Sequence, residues 1–450
     1  MASDRIAPPG PARPSRRFFL ALGAVSALAF LVRVLIIVIV EPRVPALGDA
    51  SAYHLLANHL ADGRGYIRPF DLTRFGLVVP TAEYPPLHPF VLSLFARLGV
   101  RSVEGQRLVL AVIGTAGVGG IGWVGRRMVS TRVGLVAAAL AAVSPMVFLS
   151  EATLMSETIF MALVVAALAL TIRAREQATI ARFLALGIVL GLAVLTRAEA
   201  GVLAVLLIVP AAVFAPQVTA RRRILVVATG LIAMVAVVVP WTVRNQTTFH
   251  AFVPVSNNLG TALAGANCSL TYSGSSLGSW RSTFGAGDTA AGECFTGFNG
   301  REPHFNEAVA AGRARRQGLD YFGDHLAQTP KVAAARVLRT FGLFRPGQQI
   351  ELEALEGRPI GWERLGTWLD WVLMPLAAVG LVLAFRRRLG IWPLLAPVVI
   401  VVVSSILTYG NQRFRIGAEP TIVIGAAITL VAVADRIRNR STPTTQVAAG

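Results

Sequence analysis

Apolar positions along this 450-residue chain are gathered into long uninterrupted runs, with short polar segments between them. A helix needs roughly 20 apolar residues to cross a hydrocarbon core of about 30 Å, and ten runs approach that length. They cover about residues 17–40, 106–125, 132–149, 158–173, 182–197, 200–216, 224–241, 368–385, 390–408 and 417–435. The pattern predicts an all-α polytopic membrane protein with about ten transmembrane helices.

A further apolar segment at residues 86–98 is too short to span comfortably, and we interpret it as an interfacial helix. Between the seventh and eighth spans lies a long polar insertion. Its residues 256–300 are rich in Gly, Ser and Asn, which predicts loops, and residues 306–344 are compatible with a helix interrupted near Pro330. The predicted division is a tail at 1–16, a transmembrane module at 17–241 with its first loop at 41–105, the insertion at 242–367, further spans at 368–435 and a tail at 436–450.

Arginine clusters set the predicted orientation in the membrane. Six of them alternate with the apolar runs: Arg13, Arg16 and Arg17; Arg126, Arg127 and Arg132; Arg173, Arg175 and Arg182; Arg221, Arg222 and Arg223; Arg386, Arg387 and Arg388; Arg436, Arg438 and Arg440. Because cytoplasmic loops carry the excess of basic residues, both termini and all six clusters are predicted to be cytoplasmic. The first loop and the insertion, which hold most of the unusual polar residues, then lie on the extracytoplasmic face of the cell membrane.

Composition supports the membrane prediction and argues against one class of partner. Hydrophobic residues make up 54% of the chain and charged residues 15%, with a mean hydropathy of +0.62. The net charge of +18 alone would suggest nucleic acid, but the basic residues form short clusters between spans instead of one patch. We therefore predict no nucleic-acid binding. The first apolar run is too long for a signal peptide, and we expect no cleavage.

The two cysteines, Cys268 and Cys294, both fall in the insertion. An oxidising extracytoplasmic compartment favours a disulfide between them, and two free thiols are the alternative.

The first loop holds the densest group of candidate site residues. Asp49 follows the first span, and its carboxylate is either a helix-capping group or a general base beside a lipid-borne substrate. Glu83 precedes a double proline that fixes the backbone, so it is either a solvated loop acid or a ligand of substrate or metal. His54 and His88 are more often packing or surface residues in such a position.

The remaining extracytoplasmic loops contribute acids and arginines. Glu151 and Glu157 lie six residues apart at the mouth of the bundle. Either the two acids bracket a short cap that faces Asp49, or Ser156 and Glu157 begin the next helix, where an acid complements the helix dipole. Five arginines lie against the positive-inside rule: Arg197, Arg244, Arg345, Arg413 and Arg415. Each either binds an anionic phosphate through its guanidinium or pairs with Glu199, Glu419 or a lipid headgroup. Within the first span, Arg33 is expected to pair with an acid or to extend towards the interface.

Several stretches together resemble the membrane glycosyltransferases of the GT-C superfamily, in particular glycosyltransferase family 39, which includes protein O-mannosyltransferases and lipid A aminoarabinose transferases. The matching residues are Gly48 and Asp49 with Tyr53; AEYPPLHP at 82–89; Ser144 and Pro145 leading to Met155, Ser156 and Glu157; PWTVRN at 240–245; VPVS at 253–256; and RFR at 413–415 with Glu419 and Pro420. The resemblance runs through about residues 17–435. It implies a GT-C-type bundle with a module of seven spans and two juxtamembrane helices in the first loop.

The resemblance also implies a reaction and roles for individual residues. A sugar would pass with inversion from a polyprenyl-phosphate donor in the membrane lipids to an extracytoplasmic acceptor, which is a protein, a lipid or a cell-wall glycan. Asp49 would deprotonate the acceptor hydroxyl, and an arginine would stabilise the phosphate leaving group. The implied substrate contacts are Tyr53, Glu83, Tyr84, His88, Glu157, Arg244, Arg413 and Arg415. A divalent metal is the one cofactor considered, with Glu83 and His88 as candidate ligands.

Two other classes of protein fit parts of the pattern. A transporter or flippase of lipid-linked saccharides would also need outer arginines and a lipid groove, but the sequence has neither an inverted repeat nor broken helices near the bilayer midplane. A membrane scaffold would not require Asp49 and Glu83 together in a constrained loop. The favoured prediction is a hexosyl- or pentosyltransferase that uses a polyprenyl-phosphate sugar.

Overall fold

A computed structural model of the chain describes residues 15–40, 48–281, 294–295 and 306–440. These residues are almost entirely helical and contain no β-strand, which confirms the all-α prediction. The first half holds α1 (Arg16–Leu35, continued by a π-helical turn Ile36–Val40), α2 (Asp49–Ala61), α3 (Pro69–Phe75), α4 (Leu87–Arg97), α5 (Val103–Met128), α6 (Thr131–Val143), α7 (Pro145–Ala152), α8 (Glu157–Glu176), α9 (Ile180–Val194), α10 (Ala200–Val213) and α11 (Ala220–Phe249). The second half holds α12 (Asn258–Ala266), α13 (Glu307–Asp324), α14 (Thr329–Thr340), α15 (Pro346–Leu355), α16 (Ile360–Arg386), α17 (Trp392–Leu407) and α18 (Glu419–Arg440).

All ten predicted apolar runs are helical, but their status as spans differs. Within the described residues, six helices are long and apolar enough to cross a membrane: α1, α5, α8, α11, α16 and α18. The bent pair α6 and α7 makes a seventh candidate, and α9, α10 and α17 are shorter apolar helices. The predicted count of ten is therefore not confirmed by length and hydropathy. The bend of 49° between α6 and α7 falls at Ser144 and Pro145, because proline begins α7 without a backbone N–H.

Small residues let the membrane helices approach each other closely. A Cβ added to Gly187 of α9 would collide with the carbonyl oxygen of Gly230 in α11, and one added to Gly380 of α16 would collide with that of Gly425 in α18. Lipid offers little hydrophobic driving force between helices, so close backbone packing of this kind supplies much of the association. The C-terminal helix α18 also packs against α6, which joins the last spans to the first module.

One buried charge in the first span is neutralised by another element. Arg33 Nε lies 2.6 Å from Glu151 Oε2, at the end of α7, and both side chains are buried. Gly114 of α5 makes room for the pair, because a side chain there would overlap the Glu151 carboxylate. Pairing with an acid, one of the two expectations for Arg33, is thus observed.

The first loop contains helices α2, α3 and α4. Helix α4 has 11 residues and is about 16 Å long, too short for a hydrocarbon core of about 30 Å. Phe90, Leu94, Phe95 and Leu98 are exposed on α4 and the residue that follows it, which suits an interfacial helix. The opposite side of α4 packs against α2. Residues 41–47 of the predicted loop lie outside the described residues.

The insertion contains helices α12 to α15. Its predicted helix at 306–344 is observed as α13 and α14, separated at Leu326–Gln328 just before Pro330. Helix α12 lies within the stretch predicted as loops, of which residues 282–293 and 296–300 are outside the described part of the chain, as are 1–14 and 441–450 of the predicted tails. Cys268 and Cys294 are joined by a disulfide beside α12 and α13.

Candidate active site

Asp49 is the first residue of α2, the helix that follows the first apolar helix α1 in the chain. Gly48 precedes it with φ of 101°, a left-handed conformation that glycine adopts without strain. The N-cap position of α2 is Gly48, so the Asp49 side chain does not serve as the cap. Asp49 Oδ2 instead accepts a 2.9 Å hydrogen bond from Arg413 Nη2. The Asp49 side chain keeps 27% of its surface exposed, which leaves room for a substrate group beside it.

Arg413 lies at the centre of an acidic cluster. It belongs to a 3-10 turn between α17 and α18, where the Asn411 side chain accepts a hydrogen bond from its backbone N–H. Besides Asp49, its guanidinium lies 3.4 Å from Glu356 Oε2 and 3.7 Å from Glu157 Oε1. Burial alone would lower the pKa of Arg413, but these three carboxylates raise the pKa well above its ordinary value. Arg413 is therefore a permanent cation here.

Glu157 connects this cluster to a second arginine. It is the first residue of α8, and its Oε1 accepts a 3.0 Å hydrogen bond from Arg197 Nη1. Arg197 also donates to Glu199 at 2.6 Å and lies over the ring of Phe414, 5.1 Å from its centroid. Glu157 thus begins a helix, as one of the two interpretations has it, and it also lies between Arg197 and Arg413.

Glu356 joins the site although the sequence analysis did not select it. It ends α15, in the turn that leads from the insertion into α16, and it lies beside Gly48, where an added Cβ would be 3.9 Å from Glu356 Oε2. The sequence does carry a signal for it, since Glu351, Glu353 and Glu356 form an acidic run just before an apolar segment. That signal could not indicate which of the three acids faces Arg413.

We call Asp49, Glu157, Glu356 and Arg413 the acidic recess. Its members come from α2, α8, the end of α15 and the turn before α18. Glu157 begins α8, Glu356 precedes α16 and Arg413 precedes α18, so these three lie at the N-terminal ends of long apolar helices. The arginine clusters lie at the opposite ends of α5, α8, α16 and α18. Three carboxylates surround the guanidinium of Arg413. Arg197, the other cation beside Glu157, also pairs with Glu199. The recess thus has an excess of negative charge.

Glu83 lies in the loop before α4 and extends this acidic surface. Its side chain is exposed to solvent although protein surrounds it closely, as expected in a concave site. Partial loss of hydration, with repulsion from Glu307 and then Asp49, raises the pKa of Glu83 to about 7. This carboxyl group is therefore able to exchange a proton near neutral pH.

Two residues hold the loop that carries Glu83. Glu307, the first residue of α13, accepts hydrogen bonds from the Thr81 hydroxyl at 3.0 Å, from the Ala82 backbone N–H and from Asn257 Nδ2 at 2.9 Å. On the other side, Arg244 donates to the carbonyl oxygens of Thr81 at 2.7 Å and Tyr66 at 2.9 Å. Arg244 was expected to bind substrate, but the structure places its donors on the backbone. It is a positioning residue for this loop.

Three of the residues that were predicted to contact substrate have aromatic side chains, and these side chains form a buried cluster next to Asp49. The ring of Tyr53 lies 5.1 Å from that of Tyr84 and 4.6 Å from that of His88, in both cases edge to face. All three side chains are buried, and burial lowers the pKa of His88 to about 4. These residues pack together beside Asp49, and their contact with substrate stays a prediction.

Arg415 lies only two residues from Arg413 but has a different environment. Its guanidinium pairs with Asp370 of α16 and lies 2.8 Å from Glu419 Oε1. The side chain is 1% exposed, so it has no free donor edge for a phosphate. The alternative of pairing with a nearby acid is the one that the structure shows for Arg415.

The candidate metal ligands do not come together. Within the described residues, no group of three or more His, Cys, Asp or Glu side chains is placed to hold a metal ion. His88 is fully buried beside Tyr53, whereas Glu83 faces the open side of its loop. The residues present do not fit a metal site formed by Glu83 and His88.

Comparison with known proteins supports the resemblance noted in the sequence. Residues 83–242 match the family model described as dolichyl-phosphate-mannose-protein mannosyltransferase. This segment begins at Glu83 and contains Glu157 and Arg197, but it ends before Arg413 and begins after Asp49. No curated protein sequence matches the chain.

Solved structures share the fold at low sequence identity. The oligosaccharyltransferase AglB from Archaeoglobus fulgidus, in complex with an inhibitory peptide and a dolichol-phosphate, has a TM-score of 0.53 and 12% identity, covering 94% of this chain and 51% of that one. The Archaeoglobus fulgidus oligosaccharyltransferase tethered to an acceptor peptide has a TM-score of 0.54 and 14% identity, covering 94% and 50%. The chain thus spans about half the length of these proteins. ArnT from Cupriavidus metallidurans bound to undecaprenyl phosphate is 16% identical with a TM-score of 0.41, covering 96% and 82%. The predicted resemblance to the GT-C superfamily, and its fold, are confirmed.

Proposed function

We propose that this chain, which has the GT-C fold, is a membrane glycosyltransferase that moves a sugar from a polyprenyl-phosphate donor to a hydroxyl group of an extracytoplasmic acceptor. The observation that carries the proposal is the pair formed by Asp49 and Arg413, with 2.9 Å between Oδ2 and Nη2. The transfer requires a carboxylate to accept the proton of the acceptor hydroxyl and a cation to stabilise the leaving phosphate. Here a partly exposed carboxylate and a permanent cation lie side by side. The match to a mannosyltransferase family supports the same reaction class.

The proposed reaction is a single displacement at the anomeric carbon. The acceptor oxygen forms a bond to that carbon while the bond from the carbon to the phosphate oxygen breaks, and its electron pair stays on the polyprenyl phosphate. The acceptor proton passes to the carboxylate of Asp49, which acts as the general base. Attack from the face opposite the phosphate inverts the configuration of the sugar.

Arg413 would serve both ends of this displacement. Its hydrogen bond to Asp49 Oδ2 fixes the orientation of the carboxylate, so that the exposed oxygen faces the acceptor. The same guanidinium can stabilise the charge that develops on the leaving phosphate, because its planar fork suits phosphate oxygens. Arg197 contributes by holding Glu157, which keeps this wall of the recess in place.

The placement of the recess supports an extracytoplasmic reaction. The arginine clusters lie at the other ends of α5, α8, α16 and α18, and basic residues concentrate on the cytoplasmic side. We place both termini in the cytoplasm and the recess outside it. The insertion approaches the reaction centre through Glu307 beside the Glu83 loop and through Glu356, so we assign acceptor recognition to the insertion.

Transfer by the purified protein tests the proposal. The protein in lipid nanodiscs would receive a panel of radiolabelled polyprenyl-phosphate sugars, with a membrane extract as acceptor. We expect one donor to support transfer, and Asp49→Asn to abolish it. Asp62→Asn is the matched control, because Asp62 ends the same helix and pairs with exposed Arg101 at the surface. Undiminished transfer by Asp49→Asn would refute the assignment, and translocation of a lipid-linked saccharide without transfer would favour the transporter.

A further inference from the structure

The three carboxylates around Arg413 are held with different firmness. Asp49 makes a direct hydrogen bond of 2.9 Å with Nη2. Glu157 lies farther away, at 3.7 Å, and its stronger contact is the 3.0 Å bond from Arg197. Glu356 Oε2 lies 3.4 Å from Nη1 of Arg413 as an ion pair, and it has no hydrogen bond to that guanidinium and no other ion pair within the described part of the chain. Of the three acids, Glu356 is the one that a competing anion displaces most easily.

The backbone of Glu356 is fixed while its side chain is free to turn. Gly357 follows with φ of 92° and closes the turn through a 3.0 Å hydrogen bond to the carbonyl of Ala354. Arg358 then anchors the turn, with donors 3.2 Å from Glu363 and 3.3 Å from the Ser150 hydroxyl. The Glu356 side chain is 28% exposed, so rotation about its own bonds moves the carboxylate into solvent without a backbone change.

The position of Glu356 coincides with the edge of Arg413 that the donor needs. Nη2 is occupied by Asp49, and the reacting anomeric carbon has to lie between the acceptor oxygen at Asp49 and the leaving phosphate. The phosphate is then left with the Nη1 side of the guanidinium, which Glu356 covers. Carboxylate and phosphate oxygens present similar acceptors to a guanidinium, so the two groups compete for one place.

We propose that Glu356 is a specificity-determining residue that occupies the phosphate position on Arg413 and turns away when the phosphate of the lipid-linked donor binds. This inference rests on the proposed function for the donor class. Burial, together with repulsion from Asp49 and Glu157, raises the pKa of Glu356 from its ordinary value despite Arg413, so the charged side chain is less favourable in the recess than in water. Withdrawal into solvent relieves that repulsion, which favours exchange for the donor phosphate.

Such a competing carboxylate sets a threshold for anion binding. A free anion gains only its contact with Arg413 and has to displace Glu356 for it. A donor with a polyprenyl chain adds the binding energy of its lipid and sugar to the same displacement. The recess should therefore admit polyprenyl phosphate and exclude inorganic phosphate.

Direct binding of polyprenyl phosphate tests the inference separately from transfer. Dissociation constants would be measured in nanodiscs at one mildly alkaline pH for the unaltered protein and for Glu356→Gln, Glu356→Asp and Glu351→Gln. Glu351→Gln is the matched control, because it removes the same charge from an exposed position of α15. Loss of the competing charge in Glu356→Gln should tighten binding roughly fivefold to tenfold, as expected for a close charge in a partly aqueous site. Glu356→Asp and Glu351→Gln should bind like the unaltered protein.

Competition by inorganic phosphate and the rate of transfer are two further measurements that can contradict the inference. Phosphate should compete with polyprenyl phosphate in Glu356→Gln and not in the unaltered protein. Unchanged or weaker polyprenyl-phosphate binding by Glu356→Gln would overturn the inference and leave the proposed function standing. A collapse of kcat with unchanged donor binding would also overturn it, by making Glu356 an acceptor-binding residue. Absence of polyprenyl-phosphate binding by the unaltered protein would overturn the proposed donor class together with the inference.

Discussion

Arg244 Nη1 donates a 2.7 Å hydrogen bond to the carbonyl oxygen of Thr81, two residues before Glu83. Arg244 lies near the C-terminal end of α11, which continues from the seventh predicted span into the insertion, so this bond ties the first loop to that helix. On the other side of the same loop, the Thr81 hydroxyl donates to Glu307 of the insertion. The loop is thus clamped between two segments that are distant in sequence, and its orientation depends on both.

Replacement of Arg244 should loosen this clamp. Arg244→Ala leaves the carbonyl of Thr81 without its donor, and an unsatisfied buried group costs about 1–3 kcal/mol. The carbonyl of Tyr66 loses one of two donors and keeps the Thr81 backbone N–H. We expect a lower midpoint of thermal unfolding in detergent and faster proteolysis of the first loop. Arg244→Lys should fall between, because one ammonium cannot serve both carbonyls in the geometry of the fork. Unaltered loop proteolysis in Arg244→Ala would contradict the positioning role.

Glu307→Gln tests the clamp from the insertion. The buried carboxylate accepts from Thr81, Ala82 and Asn257, and an amide presents its NH₂ group to at least one of these donors. The expected loss is about 1–3 kcal/mol in the free energy of unfolding, read from chemical denaturation of the detergent-solubilised protein. Glu351→Gln at an exposed position should have no effect. Equal stability of the two variants would show that the Glu307 network is dispensable.

Glu83 predicts a specific pH dependence of stability. Its folded-state pKa of about 7 is above the ordinary value of 4.5, so between these values the folded protein binds more protons than the unfolded chain. Its contribution to stability is therefore present below about pH 4.5 and is lost as pH rises towards 7. Unfolding midpoints of Glu83→Gln should show a shallower decline across this window than those of the unaltered protein. Parallel pH profiles would contradict the raised pKa.

Removal of the charge repulsion between Glu307 and Glu83 gives a second test of the raised pKa of Glu83. After burial, Glu307 is the largest of the three charges that raise the pKa of Glu83, ahead of Asp49 and Asp71. In Glu307→Gln, the pKa of Glu83 should fall, and infrared titration of the Glu83 carboxyl band should show a midpoint at lower pH. Glu83→Gln identifies the band by its disappearance. An unshifted midpoint would contradict electrostatic coupling between the two acids.

Substitution of Arg413 should affect both the stability of the recess and the binding of the donor phosphate. Arg413→Ala leaves Asp49, Glu157 and Glu356 without their shared cation, and breaking a buried pair costs about 3–5 kcal/mol. Arg413→Lys keeps the charge but cannot bind two groups through a planar fork. We expect Arg413→Lys to fold and to require a higher donor concentration for half-maximal transfer. Transfer by Arg413→Lys with an unchanged donor requirement would refute the contact with the phosphate.

The helical architecture was largely predictable, since hydropathy alone locates a transmembrane segment. Each of the ten apolar runs is helical, and Pro330 marks the break between α13 and α14 as expected. The bend at Pro145 was not predicted, because the run on either side of it is apolar throughout. Short apolar helices such as α9 and α17 show why the number of spans does not follow from composition: packing against neighbours, which the sequence does not display, decides their placement.

The site was predictable only where local sequence carries the chemistry. Asp49 and Glu157 stand out as acids next to apolar runs, and both reach the recess. Arg413 and Arg415 are equivalent by sequence criteria, and only tertiary contacts assign one to Asp49 and the other to Asp370. Glu356 was missed for the same reason, because its partner lies 57 positions away in the chain.

The central claim is that Asp49 removes the acceptor proton, and single-turnover transfer with donor binding measured in parallel tests it most directly. General-base catalysis contributes roughly 10²- to 10⁴-fold to a rate. The account predicts that Asp49→Asn binds the lipid-linked donor about as tightly as the unaltered protein and loses transfer by a factor in that range, while Asp62→Asn transfers normally. Transfer by Asp49→Asn at the unaltered rate would contradict the claim, whatever the donor.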